Sequence, residues 1–283
     1  MQQHTRTLDQ KVISEYVTYL LEQERAPATI QKYTHDLSEL MRYLEGGELT
    51  KAAIIRWKQQ LTESRAPATV NSMLAAVNGF FAYMNWRDLT VRRLRFQKSL
   101  FLKEEKELTK AEYARLVQAA ERQENERLSL VIQTICATGI RVSELRFITV
   151  ETIQTGRAEI NNKGKRRTAF LPDKLRRLLR KYVQKQKKTV GAVFTTRTGK
   201  PLDRSNIWRD MKALCESAGV APQKVFPHNL RHLFARTYYT LERDLSRLAD
   251  ILGHSNISTT RIYTAESGTI HARQLERMDL IIT

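Results

Sequence analysis

Across residues 8 to 88 apolar side chains recur at helical spacing in consecutive blocks, and that pattern confines the stretch to a small helical bundle. The first block holds Val12, Ile13, Tyr16, Val17, Leu20 and Leu21. The second holds Ile30, Tyr33, Leu37, Leu40, Met41 and Leu44, and stops at Gly46-Gly47. A third runs from about Thr50 to Thr62, and a fourth carries Val70, Met73, Leu74, Val77, Phe80, Phe81 and Met84. The pentapeptide Arg25-Ala26-Pro27-Ala28-Thr29 returns as Arg65-Ala66-Pro67-Ala68-Thr69, each time opening a helix with a proline suited to its first turn. The repeat is read equally as a reused helix start or as a pair of helix N-termini turned to anions.

With 283 residues, 41% of them hydrophobic, the chain has material for two modest cores. The expected division is a helical domain over 1–90, a basic linker over 91–106 and a second domain over 107–283. The linker is read from Arg92, Arg93, Arg95, Lys98, Lys103 and Lys106, which crowd a stretch of weak periodicity. Thr109-Lys110-Ala111-Glu112 has the form of a capping box. Two helices should follow, up to Thr138-Gly139. A strand-rich patch is expected over about 149 to 171, with Gly156 and Asn162-Lys163-Gly164 as turn signals, and mostly helix thereafter. The fold class is therefore mainly α with a small antiparallel β-sheet.

A formal net charge of +18 points to a polyanionic partner, nucleic acid before an acidic membrane surface. No run of about 18 apolar residues exists, and the N-terminus lacks an apolar signal core, so a cytoplasmic protein with no membrane partner is expected. Cys136 and Cys215 have no metal-binding spacing and read as reduced core residues. Between 157 and 188 basic residues, among them Lys165, Arg166 and Arg167, face only Glu159 and Asp173. A solvated helix face would mix both signs, so nucleic-acid contact is the preferred reading.

Against that background one spaced set of polar residues stands out: Arg141, Lys163, His228, Arg231, His254 and Tyr263. Breaking a phosphodiester with a phenol requires such residue types. Planar, always-charged guanidiniums fit the non-bridging oxygens, for which Arg141 and Arg231 are the candidates. A lysine on a hairpin turn can protonate the leaving 5′ oxygen, which suits Lys163. The Tyr263 phenol needs help losing its proton, and His228 is placed to take it. His254 can hydrogen-bond the phosphate or order its neighbours. Cationic side chains would supply the electrostatics, so neither a metal nor another cofactor is expected. Each residue alone has an ordinary alternative: a surface charge for Arg141, partly buried histidines, a packing role for Tyr263. The reading rests on their joint occurrence in this order.

The segments that carry these residues are Ala-Thr-Gly-Ile-Arg-Val-Ser-Glu-Leu at 137–145, His-Asn-Leu-Arg-His-Leu-Phe-Ala at 228–235, Leu-Gly-His-Ser at 252–255 and Ser-Thr-Thr-Arg-Ile-Tyr at 258–263. Together they resemble the tyrosine site-specific recombinases, the Xer-like and phage or transposon integrase family. The resemblance is close over the C-terminal half and extends to the N-terminal half in size and order. It implies an N-terminal SAM-like core-binding domain and an α+β catalytic domain clamped around duplex DNA. It also implies a 3′-phosphotyrosine at Tyr263, a Holliday junction, and Glu144 as support for Arg141. Two departures stand. The hairpin around Asn162-Lys163-Gly164 is one residue shorter than the common form, so the general acid is Lys163 or Lys165. Arg236 replaces a small hydroxyl residue.

Further expectations follow from the resemblance. The partner is double-stranded DNA at short core sites, bound by a homotetramer of subunits that are monomeric when free, with accessory DNA-bending proteins possible. The protein would gather at the nucleoid when bound to DNA. Residues 264–283 form an exchange tail that docks in a neighbouring protomer. No room is left for an added N-terminal arm-binding domain. Contacts to DNA are expected from Lys32, Asn71, Arg92, Arg93, Lys165, Arg166 and Arg167. The outcome is integration, excision or resolution of a mobile element, or chromosome dimer separation. A type IB topoisomerase-like enzyme, relaxing any supercoiled DNA, and a regulator without cleavage are the competing readings.

Overall fold

The computed structural model describes residues 6–96, 104–162, 165–196, 198–263 and 276–278. The chain forms two compact units, Met1–Lys98 and Ser99–Thr283.

The first unit is a helical bundle of α1 (Gln10–Glu22), α2 (Pro27–Leu44), α3 (Lys51–Ser64) and α4 (Pro67–Tyr83). Asp9 caps α1 by accepting from the Val12 amide at 2.9 Å, and Thr50 caps α3 by accepting from Ala53 at 3.2 Å. α2 and α4 open instead on the prolines of the repeated pentapeptide. The apolar stripes meet in one core around Ile13, Leu37, Ile54, Leu74, Phe80 and Phe81. α4 also holds an extended segment. The Asn78 amide donates to the Val91 carbonyl at 2.8 Å and accepts from the Val91 amide at 3.0 Å. One face-repeat earlier, Asn71 does the same with Leu94, at 2.9 and 2.7 Å. Val91 is buried and Leu94 packs on this core, so residues 91–94 belong to the first unit and not to a linker.

The second unit opens with α5 (Lys110–Arg122), whose Thr109–Glu112 capping box is present, and α6 (Glu126–Thr138). A 3₁₀ helix (Val142–Phe147) and α7 (Val150–Thr155) precede a two-stranded antiparallel sheet, β1 (Arg157–Asn162) and β2 (Lys165–Phe170). The strand-rich patch is thus shorter than the sequence suggests. Thr149 and Thr152 build a reciprocal cap, and Gly156 takes the left-handed conformation that ends α7, so local capping overrides the β-branched composition of 150–155. The sheet pairs Arg157 with Phe170 through to Asn162 with Lys165. Lys163 lies outside the described residues.

Then come α8 (Asp173–Lys185), α9 (Arg204–Ala213), the single turn α10 (Cys215–Ala218), α11 (Pro227–Glu242) and α12 (Leu245–Leu252). Short 3₁₀ helices cover Ile257–Thr259 and Arg261–Tyr263. The core spans α5, α6, the sheet, α8, α9 and α11. Both cysteines are free thiols. Part of the basic run is structural. Arg176 donates to the Ile153 and Gln154 carbonyls at 2.9 and 2.6 Å, and Lys188 donates to the Ala192 carbonyl at 2.7 Å. Among the described residues no helix is long and apolar enough to cross a membrane.

Candidate active site

α6 ends at Gly139, which adopts φ +65° and passes so close to the Phe234 ring that a Cβ there would collide with it. That turn delivers Arg141 to the start of the 3₁₀ helix. Glu144, three residues on and 1% exposed, accepts from the Arg141 amide at 2.8 Å and from its guanidinium at 3.0 Å. The oxygen of Glu144 that accepts the Arg141 amide, Oε2, also accepts from Arg167 of β2 at 2.6 Å. Burial pushes the Glu144 carboxyl up, but the Arg141 amide and the two guanidiniums outweigh it and hold it below the usual range. Arg167 is therefore turned inward. It shares a strand face with buried Ala169, and its other terminal nitrogen donates to the Ile251 carbonyl at 2.7 Å. Arg166, on the opposite face of the strand, is exposed.

Arg231 is the largest side chain in the deep interior, 1% exposed. Its guanidinium donates to the Gly139 carbonyl, and to the Leu252 carbonyl at 2.6 Å. These are carbonyls at the ends of α6 and α12, which helix geometry leaves open and the helix dipole makes attractive to a cation. The same guanidinium lies 3.1 Å from Nε2 of His254. His254 follows the left-handed Gly253 that ends α12, and its Nδ1 meets the buried Thr260 hydroxyl at 2.8 Å. Thr260 in turn accepts the Tyr263 amide at 3.0 Å.

That chain of contacts sets the phenol. Tyr263 is 4% exposed and packs with Ala235, Leu248 and Leu252. Its ring stacks on His254 at 6.2 Å and meets His232 edge-on at 5.0 Å. Burial raises the phenol above its ordinary pKa, while the charge and hydrogen bond of Arg231 and the charge of Arg141 pull it back. His254 is pushed down to about 4 by burial and then by Arg231, Arg141 and Arg167. His228, at the exposed start of α11, is likewise pushed down to about 4, by desolvation and then by His232, Arg231, Arg141 and Arg204. Both imidazoles are neutral at pH 7.

Arg141, Glu144, Arg167 and His254 also line a cleft of about 800 Å³ that opens beside these groups, with Arg166 at its wall. Five of the six expected catalytic side chains, Arg141, His228, Arg231, His254 and Tyr263, thus fall in one region of the second unit. The ring nearest the phenol on α11 is His232 and not His228. His232 was not singled out in the sequence, although it lies one helical turn after His228 and could have been found by that spacing. In the first unit, Lys32 pairs with Asp36 and donates to the Ser72 carbonyl at 3.3 Å, while Asn71 is engaged with Leu94. Arg92 and Arg93 are exposed. Among the described residues no group of His, Cys, Asp or Glu is placed to hold a metal ion.

Residues 106–269 match the phage integrase family, and residues 13–88 match the N-terminal SAM-like domain of phage integrases. Tyrosine recombinase XerD of Xanthomonas campestris is 30% identical over 96% of this chain and 94% of its own length. Tyrosine recombinase XerA of Pyrococcus furiosus is 28% identical over 98% and 96%. Among solved structures, XerH recombinase bound to its difH substrate superposes with a TM-score of 0.68 at 18% identity, over 98% of this chain and 99% of that one. A lambda integrase tetramer bound to a Holliday junction gives 0.74 at 18%, over 92% and 78%. The chain belongs to the phage integrase family. Within it, the chain is an enzyme of the tyrosine recombinase class.

Proposed function

We propose that this chain is a site-specific recombinase that cleaves and rejoins duplex DNA through Tyr263. The observation that carries the reading is the Tyr263 ring, 4% exposed and stacked at 6.2 Å on His254, whose Nε2 lies 3.1 Å from the Arg231 guanidinium of the same chain. The hydroxyl oxygen attacks the scissile phosphorus and leaves a 3′-phosphotyrosine. Arg141 and Arg231 bind the non-bridging oxygens, where charge gathers in the transition state. Glu144 holds Arg141 to that task. His228, exposed at the open rim, donates a further hydrogen bond to the phosphate, and His254 orders Arg231 and the Tyr263 ring beside it. Lys163, or Lys165 beside it in the hairpin, protonates the leaving 5′ oxygen. The freed hydroxyl then attacks the ester on a partner duplex, passing through a Holliday junction and conserving the bond energy without a cofactor.

Duplex DNA is the proposed partner, supported by the +18 charge and by the exposed Arg92, Arg93 and Arg166. A tetramer assembled on DNA is proposed as the working form, at the nucleoid. The expected exchange tail lies mostly outside the described residues. An apolar groove lined by Tyr113, Cys136, Phe234, Tyr238 and Leu241 supports docking of such a tail from a neighbour.

The reading is tested on a library of nicked duplexes of randomised sequence, scored for detergent-resistant protein–DNA adducts. The wild-type chain should form adducts on a selected subset, and Tyr263→Phe should form none while still retarding the same duplexes. Adducts that persist in Tyr263→Phe would overturn the assignment of the nucleophile.

A further inference from the structure

α11 carries a stripe one turn apart, His228, His232 and Arg236, and this stripe faces the segment that precedes α5. The segment is fixed on both sides of Glu107. Asn229 donates to the Lys106 carbonyl at 2.8 Å, and Arg236 donates to the Leu108 carbonyl at 2.9 Å. Glu107, 14% exposed, is thereby held with one oxygen 3.6 Å from Nδ1 of His232 and the other 3.1 Å from Arg236. The carboxylate favours the proton on Nδ1, which leaves Nε2 as the lone-pair acceptor. That nitrogen is buried and has no hydrogen-bond partner. A histidine present only to fill space would have both nitrogens satisfied. Its ring sits 4.5 Å from His228 and 5.0 Å, edge-on, from Tyr263.

We propose that His232, oriented by Glu107, receives the proton that the Tyr263 phenol gives up on attacking DNA. The inference rests on the recombinase reading above. As the phenol oxygen bonds to phosphorus, its O–H bond breaks and the proton passes to Nε2. The imidazolium that forms is neutralised by Glu107, and the contact to Nδ1 shortens into a charge-assisted hydrogen bond. The leaving 5′ oxygen takes its own proton from the hairpin lysine, so no other reactant is needed. On rejoining, the proton returns from His232 to the phenolate. Among the described residues, the groups that face His232 are Glu107 from the preceding segment, Tyr263 from the 3₁₀ helix, and His228 and Arg236 from its own helix. Glu107 is the only anion among them. Burial raises its carboxyl, but His232, Arg236 and His228 together hold it below the usual range, so it stays ionised through neutral pH. His228 is left free to serve the phosphate at the rim. Glu107 is a positioning residue in this scheme.

The test uses nicked duplexes that form adducts with the wild-type chain, under single turnover and across pH. His232→Asn keeps a donor toward Glu107 and removes the distal nitrogen. It should slow adduct formation by about a hundredfold, the lower range for loss of a general base, with duplex binding retained. Its rate should rise steadily with pH where the wild type levels off. Placing the more acidic 3-fluorotyrosine at position 263 should recover about tenfold in His232→Asn and little in the wild type. Glu107→Gln, which removes the orienting anion, should also slow adduct formation, by less than His232→Asn, with duplex binding retained. If His232→Asn is poorly folded, Glu107→Gln with and without fluorotyrosine makes the same comparison. A His232→Asn profile parallel to wild type, or a slow variant indifferent to the fluorinated phenol, would overturn the proposal. Absence of adducts from the wild-type chain on every duplex would instead bring down the recombinase reading itself.

Discussion

Replacing Glu144 by Gln should damage stability far more than an isosteric change normally does. The carboxylate is 1% exposed and faces Arg167, whose side chain is only 10% exposed, at 2.6 Å. Arg141 is 37% exposed, so its guanidinium pair is screened by solvent and adds little. What remains is the Arg167 pair and the bond from the Arg141 amide. Breaking a buried pair by removing one partner costs about 3–5 kcal/mol. Glutamine keeps the shape and one acceptor, so the lower end applies, about 3 kcal/mol. At about 2–4 °C per kcal/mol, the second unit should melt about 6–12 °C lower, read by calorimetry of the full chain. The sign with pH is fixed by the depressed folded pKa of Glu144. Its stabilisation is present above the unfolded carboxylate value, about 4.3, and disappears as pH falls through the folded one. The gap between wild type and Glu144→Gln should therefore narrow in acid. Adding Arg167→Met should recover part of the loss, as expected for coupled neighbours. A loss below about 1 kcal/mol, the value of an exposed pair, would refute the reasoning, as would a gap unchanged by acid.

Acid should weaken the second unit through its histidines as well. His228 and His254 are held down to about 4 in the folded chain, so the unfolded chain, near 6.5, takes up protons first and stability falls between those values. The urea midpoint of wild type should drop between about pH 7 and pH 5 by more than that of His254→Asn. Asn71→Ala should lower the first unit's melting transition alone, by about 1–2 kcal/mol for the two Leu94 bonds, and calorimetry separates that from the second unit.

The helices of the first unit could be read from the sequence because their apolar spacing coincides with the stripes that are buried, from Ile13 to Phe81. The site was legible for a different reason: Arg141, His228 and His254 sit immediately at helix starts and ends, where glycine and proline mark the chain, and Arg231 lies one turn into the helix that His228 opens. What stayed hidden depends on pairings between distant segments. Asn71 reads as a polar residue on a helix, and only its partner Leu94, 23 residues on, makes it a clamp. Arg167 sits in a basic run, yet strand alternation with Ala169 gives it an inward face and Glu144 gives it a counter-ion. His232 acquires meaning from Glu107, which nothing in its own neighbourhood announces.

Arg231 ties the end of α6, the end of α12 and the His254 ring to a single planar cation. Such a keystone cannot be pulled out to weigh it: any neutral replacement would collapse the vault and silence the chemistry together. The electrostatic share of strand cleavage is better dissected at Arg141, whose partly exposed guanidinium can be trimmed while the masonry stands.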